Sequence, residues 1–257
     1  MRQTLQGTWT CWNEADKTMQ YPAEVPGCIH TDLLRNKVIG DPFFRDHEQR
    51  QLWIGSTHWI YERSFEFADD LREAKQLTLY FEGLDTLAEV YVDSVLLGST
   101  DNQFRSWSFD ISHLDRTSKH QISVRFLETF TSIRNAQYER YLNAVGVGDH
   151  RLDGSNRIRK AQCNYGWDWG PMCVTAGIWR NVSIRGNSGA SIDRLVTLQN
   201  HSSIVELGIT AHLHIPKGEK EYSTFLETEL IFNNKSVGSA VSESCNHVHH
   251  QQINISD

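Results

Sequence analysis

No stretch of this chain carries about 18 consecutive apolar residues, which excludes a transmembrane helix. No basic stripe occurs, and the net charge of −7 disfavours nucleic acid as a main partner. Residues 1–25 are polar and hold no apolar h-region, so no signal peptide is expected and the protein is expected in the cytoplasm. Four Asn-x-Ser sequons (Asn181, Asn200, Asn234, Asn254) weigh little against that absence. No CxxC exists. The five cysteines (Cys11, Cys28, Cys163, Cys173, Cys245) are scattered, as reduced thiols of a cytosolic protein would be, and a Cys163–Cys173 bridge is the alternative.

Several catalytic signatures are also missing. No GxSxG nucleophile elbow is present. His47-Glu48-Gln49-Arg50-Gln51 opens like a zinc-protease helix but lacks the second histidine. Gly146-x-Gly148-x-x-Arg151 lacks the third glycine of a dinucleotide loop. His247-x-His249-His250 has no Cys or carboxylate nearby to complete a ligand set, and is expected to be a solvated cluster at a sheet edge. No metal site and no cofactor are expected.

What is present is a β pattern. With 39% apolar and 22% charged residues, the composition is globular. Trp9 lies between polar neighbours, as in a terminal strand at a sandwich edge. After the Pro26-Gly27 turn, the spacing of Ile29, Leu33 and Leu34 predicts a short helix, which Asp41-Pro42-Phe43-Phe44 ends. From Trp53 the period becomes two. Trp59, Tyr61, Arg63, Phe65 and Phe67 alternate with Ile60, Glu62, Ser64 and Glu66, an aromatic strand for the core. Further strands are expected at 77–81, 104–111, 121–126 and 177–184. Strands 88–92 and 95–97 flank Asp93-Ser94 as a two-residue hairpin. Short, evenly spaced strands predict an all-β sandwich. A helix is expected at 132–143, within an excursion over 131–160 of the length that usually serves function. Near 186–191 the composition turns to Gly, Asn and Ser. Strands at 192–198, 204–215 and 224–232, with a turn at Asn233-Asn234-Lys235, begin a second β unit. About 70 residues fall short of the ~100 of an immunoglobulin-like sandwich, so this unit is expected to be incomplete.

The chemically richest stretch is Gln162-Cys163-Asn164-Tyr165-Gly166-Trp167-Asp168-Trp169-Gly170-Pro171, preceded by Arg157-Ile158-Arg159-Lys160. A carboxylate accepts hydrogen bonds from two hydroxyls, and an indole covers the C–H face of a pyranose. If the segment is extended, Trp167 and Trp169 share one face and Asp168 takes the other. The competing reading is a core indole pair with Asp168 in a salt bridge to Arg157, Arg159 or Lys160.

In order along the chain, Val25-Pro26-Gly27, Asp32-Leu33, Asp41-Pro42-Phe43, Trp53-Ile54, Trp59-Ile60-Tyr61, Phe81-Glu82-Gly83-Leu84-Asp85-Thr86, Val90-Tyr91-Val92-Asp93, Arg159-Lys160-Ala161-Gln162, Trp167-Asp168-Trp169-Gly170-Pro171 and Gly177-Ile178-Trp179 resemble the amino-terminal region of the β-mannosidases of glycoside hydrolase family 2. The Glu-Gly-Leu-Asp-Thr element is shared with β-galactosidases and β-glucuronidases. Lys-x-Gln followed by Trp-Asp-Trp-Gly-Pro favours a mannosidase. His47 stands where an Asn is expected.

The resemblance implies a jelly-roll, galactose-binding-like sandwich over 1–187 and a partial, truncated immunoglobulin-like sandwich over 188–257. A catalytic (β/α)8 barrel would follow, with two glutamates about 5–5.5 Å apart in a retaining mechanism. Such a barrel needs about 250 residues, so both glutamates are expected beyond Asp257. Glu82, Glu89, Glu128 and Glu139 are therefore not expected to be catalytic. The implied substrate contacts are Asp168 above all, with Trp167, Trp169, Lys160, Arg159 and Asn164. The chain is expected to be the accessory part of an exo-β-mannosidase that removes terminal β-D-mannose from manno-oligosaccharides, and inert alone. The alternatives are a stand-alone carbohydrate-binding module and a structural interaction domain that binds no sugar.

Overall fold

A computed structural model describes residues 1–142, 154–167, 170–201, 205–215, 223–244 and 247–255. The chain divides into two compact units, Met1–Arg72 with Leu77–Gly186, and Glu73–Gln76 with Asn187–Asp257.

The first unit is an antiparallel sandwich. Its strands are β1 (Arg2–Thr4), β2 (Gly7–Asn13), β3 (Gln20–Val25), β4 (Trp59–Phe65), β5 (Gln76–Phe81), β6 (Ala88–Val92), β7 (Val95–Thr100), β8 (Trp107–Asp110), β9 (His120–Phe126) and β10 (Val182–Asn187). They form a six-stranded sheet, β3-β2-β4-β9-β6-β7, and a four-stranded sheet, β1-β10-β5-β8. Period-two side chains supply the core. Tyr61, Val90, Ile122, Val124 and Phe126 come from the larger sheet, and Leu77, Leu79, Phe81 and Ile184 from the smaller, all fully buried. Each such side chain contributes roughly 1.5–3 kcal/mol on leaving water. Pairing of Tyr61 with Val124 and of Val90 with Val124 brings three strands into one apolar row.

The hairpin at Asp93-Ser94 forms as expected. Both residues have positive φ (49° and 65°), the twist that a two-residue connection between strands requires. Trp9 departs from the expectation. Its strand β2 lies between β3 and β4, and the indole is buried with Nε1 donating to the Leu5 carbonyl at 2.8 Å. The segment 104–111 yields only β8, and 177–184 becomes strand only from Val182. Before it, Gly177 exchanges backbone hydrogen bonds with Asp85 (3.0 and 3.1 Å).

Among the described residues, four α-helices accompany the sheets: α1 (Ile29–Arg35), α2 (His47–Gln51), α3 (Asp69–Arg72) and α4 (Phe130–Glu139). In α1, Ile29, Asp32 and Leu33 face inward while Leu34 is exposed, so a carboxylate occupies the position that spacing alone assigned to a leucine. Asp32 is satisfied there by the Tyr61 hydroxyl (2.8 Å), the Glu24 amide (2.9 Å) and Arg35 (2.8 Å). Helix α4 starts two residues before the expected 132 and stops at Glu139, where Gln137 turns the chain by bonding both the amide and the carbonyl of Leu142.

The second unit comprises a three-stranded sheet of β11 (Ser191–His201), β12 (Val205–His214) and β15 (Val248–Ile255), and a hairpin of β13 (Thr224–Phe232) and β14 (Lys235–Ser244). Asn233 and Asn234 take positive φ at the turn. Leu207, Ile209 and Ile253 form its small core, with Leu230 and Ala240 against them. Of the histidine cluster, His247 and His250 are exposed and β15 ends its sheet, as expected, but the third member is not solvated. His249 is 1% exposed, hydrogen-bonded to Thr224 Oγ1 at 2.8 Å and Ser242 Oγ at 2.9 Å.

Candidate functional site

The site is built from the segment that follows α4. Gly154, at φ 90°, opens a 3-10 turn, Ser155–Arg157, against α4. A Cβ there would lie 2.6 Å from Ile133 Cγ2, so only glycine fits. Arg157 donates to the Ala136 carbonyl at 2.6 Å and places its positive charge at the C-terminal end of α4. Ile158 joins Ile133, Tyr165 and Val174 in a satellite core. The next two residues alternate, with Arg159 exposed and Lys160 buried.

Lys160 has a fully buried ammonium. It donates to Asp85 Oδ1, to the Thr175 carbonyl at 2.8 Å and to Thr175 Oγ1 at 3.1 Å. Thr175 Oγ1 in turn donates to Asp85 Oδ2 at 2.5 Å, and the Thr86 hydroxyl donates to Asp85 Oδ1. All three ammonium hydrogens are thus taken, and Lys160 has none to offer a sugar. Burial pulls its pKa down, opposed by the Asp85 charge. His30 lies beside the pair. Burial first, then the Lys160 charge, depress its pKa to about 4, and its Nδ1 has no partner among the described residues.

Beyond Lys160, the Ala161 amide donates to Gln103 Oε1 at 2.7 Å, and a second 3-10 turn, Gln162–Tyr165, drives Tyr165 into the satellite core. Trp167 and Gly170 then exchange backbone hydrogen bonds, N to O at 3.3 and 3.4 Å. The expected alternation of Trp167, Asp168 and Trp169 falls on residues that are not all described. Asp168 and Trp169 lie outside the described residues. On the return, the Met172 amide reaches Glu48, Asn164 Nδ2 donates to the Cys173 carbonyl at 3.1 Å, and Val174 enters the satellite core.

A cleft of about 840 Å³ opens along this segment, walled by Trp167, Arg159, Arg157, Gln162 and Phe104 among others. An indole face beside guanidinium donors can cover the apolar side of a sugar ring and bind its hydroxyls. No carboxylate stands among the described residues of the wall. The structure therefore brings Trp167 and Arg159 to one cleft, with no ion pair for Arg159 among the described residues. It uses Lys160 and Asn164 inside the loop's own framework. Lys160 is committed to Asp85 and Thr175, while Asp168, the acid of the competing salt-bridge reading, lies outside the described residues. Asp85, Thr175, Gln103 and Glu48 were given no role from sequence, because their partners lie far along the chain. Cys11, Cys28, Cys163 and Cys173 are free thiols, so no Cys163–Cys173 bridge forms. Burial raises the Cys173 thiol to about 11.

A two-sheet antiparallel sandwich with a loop anchored at a polar cleft is a frame that carbohydrate-binding domains share with other proteins. The chain belongs to the glycosyl hydrolase 2 galactose-binding domain-like family, whose profile matches residues 9–180. It is 38% identical over 186 residues to a β-mannosidase of Capra hircus, covering 70% of this chain and 21% of the relative. It is 32% identical over 167 residues to β-mannosidase B of Emericella nidulans, covering 62% and 19%. The chain thus spans about a fifth of the length of these curated relatives. Among solved structures it resembles β-D-mannosidase from Dictyoglomus thermophilum, with a TM-score of 0.85, 26% identity, and coverage of 99% of this chain and 31% of that one. A β-glucuronidase of Bifidobacterium dentium shares the fold at a TM-score of 0.65 and 16% identity, over 99% of this chain and 42% of that one.

Proposed function

We propose that this chain is the accessory amino-terminal part of a retaining exo-β-mannosidase that releases terminal β-D-mannose from manno-oligosaccharides. Residues 1–187 act as its sugar-binding sandwich, and 188–257 belong to an immunoglobulin-like domain. The observation that carries the reading is the cleft walled by Trp167 and Arg159, in a chain 38% identical over 186 residues to a β-mannosidase.

In this reading Asp168 accepts hydrogen bonds from two hydroxyls of the terminal mannose. Trp167 and Trp169 flank the ring, and Arg159 adds donors from the cleft wall. Asn164 and Lys160 serve by shaping the loop. Bond cleavage falls to two glutamates supplied by another part of the protein, through a glycosyl-enzyme intermediate, and needs no cofactor. The 257-residue chain alone is inert.

The test is hydrolysis by the full-length protein of nitrophenyl β-mannoside, β-galactoside and β-glucuronide. The reading predicts preference for the mannoside by on the order of 10²-fold or more in kcat/KM. Equal or better use of either competitor would overturn it, and so would mannosidase activity in the purified 257-residue chain.

A further inference from the structure

We propose that Lys160 and Asp85 form a clamp that positions the Trp167 loop, and that this clamp rather than any contact of Lys160 with substrate sets the affinity for mannoside. The inference rests on the function proposed above.

Lys160 immediately precedes the segment 161–174, and Thr175 immediately follows it. One ammonium bonds the carbonyl and the hydroxyl of Thr175, and so holds both stems of the loop at a single point. Its third bond runs to Asp85, which is fixed independently. The Asp85 backbone exchanges two hydrogen bonds with Gly177, and both its carboxylate oxygens accept from the cluster. The cluster is neutral as a unit.

A buried ion pair of this kind is a poor source of stability, since a well-packed apolar pair of similar volume often does as well or better. What it supplies is geometry. With Lys160 pointing inward, alternation turns Arg159 outward to the cleft, and Trp167 follows at a set distance from the neck. A compact ammonium with three tetrahedral donors suits the three acceptors here. A planar guanidinium presents its donors in a different fork.

The test uses the full-length protein and the doubly neutral variant Lys160→Met/Asp85→Asn. Each single change leaves one buried charge alone, whereas the pair of changes leaves none. The expected result is a melting temperature near that of the wild type, with KM for nitrophenyl β-mannoside raised about tenfold and kcat lowered less than about threefold. Lys160→Arg, which keeps the charge, is not expected to restore KM. A folded double variant with wild-type KM would overturn the clamp.

If the double variant does not fold, Thr175→Val replaces it, because it removes one hydroxyl from the cluster at nearly constant shape. A raised KM supports the clamp and an unchanged KM overturns it. If the wild-type protein hydrolyses no β-mannoside, the proposed function fails. The clamp is then judged by amide exchange at Trp167 and Gly170. Acceleration of about tenfold or more in the variant supports it, and unchanged exchange overturns it.

Discussion

Glu48 accepts the amide hydrogen of Met172 on its Oε1 at 2.6 Å, across 124 positions of sequence. The carboxylate that opens a decoy of a zinc-protease helix is thus an anchor for the return stem of the Trp167 loop. Its helix α2 is itself tied down by His47, whose Nδ1 lies 2.9 Å from the Asp41 carbonyl. The loop is therefore held at two points, by Glu48 on its return stem and by Lys160 at its neck.

Removal of that anchor should be measurable. Glu48→Ala strips the Met172 amide of a charge-assisted partner and should cost about 1–3 kcal/mol, whereas Glu48→Gln keeps an acceptor and should cost less. Urea unfolding of the two variants checks the order. Equal stability of Glu48→Ala and the wild type would contradict it.

His30 predicts a pH dependence. Its imidazole is 8% exposed and titrates at about 4 when folded, against 6.5 in the unfolded chain. Below pH 6.5 the unfolded state takes up a proton that the folded state refuses. Stability is therefore fully present above about pH 6.5 and falls as the pH drops towards 4, by on the order of 3 kcal/mol from this group. His30→Gln should flatten that part of the profile. Thermal melts between pH 7 and 4 provide the comparison, and an unchanged slope in the variant would contradict the assignment.

In the second unit, His249 joins β13 and β14 to β15 through Thr224 and Ser242. Both hydroxyls have other partners, Thr224 the Ser244 carbonyl at 3.1 Å and Ser242 the Gln251 amide at 3.0 Å. His249→Leu should therefore cost only about 1–2 kcal/mol, less than leaving an orphaned donor would. His250→Ala, at an exposed site on the same strand, should fall within about 0.5 kcal/mol of the wild type. Chemical denaturation separates the two.

The sandwich was legible because its strands bury every second residue. The aromatic run from Trp59 and the Asp93-Ser94 turn state that pattern openly. Strand β14 was missed, and β15 was expected only as an edge bearing the histidines, because their inward positions are polar, as at His249 and Gln251, where hydrogen bonds replace the apolar signal, or small, as at Ala240. Trp9 misled for a related reason, since polar neighbours on a central strand look like those on an edge. At the site, the Trp-Asp-Trp stretch was visible as a motif, but its support was not. Asp85 and Lys160 are 75 residues apart, and no local spacing announces such a pair. The same holds for Lys160 itself. A lysine beside an arginine reads as two surface charges until the chain shows that one of them points inward.

The most direct test of the account is Asp168→Ala in the full-length protein, with kcat/KM for nitrophenyl β-mannoside measured alongside the melting temperature. The account predicts a loss on the order of 10²-fold or more with the fold intact, because in the proposed function the carboxylate holds hydroxyls of the reacting sugar. Unchanged kinetics in a folded variant would contradict it and return the Trp-Asp-Trp segment to a structural role.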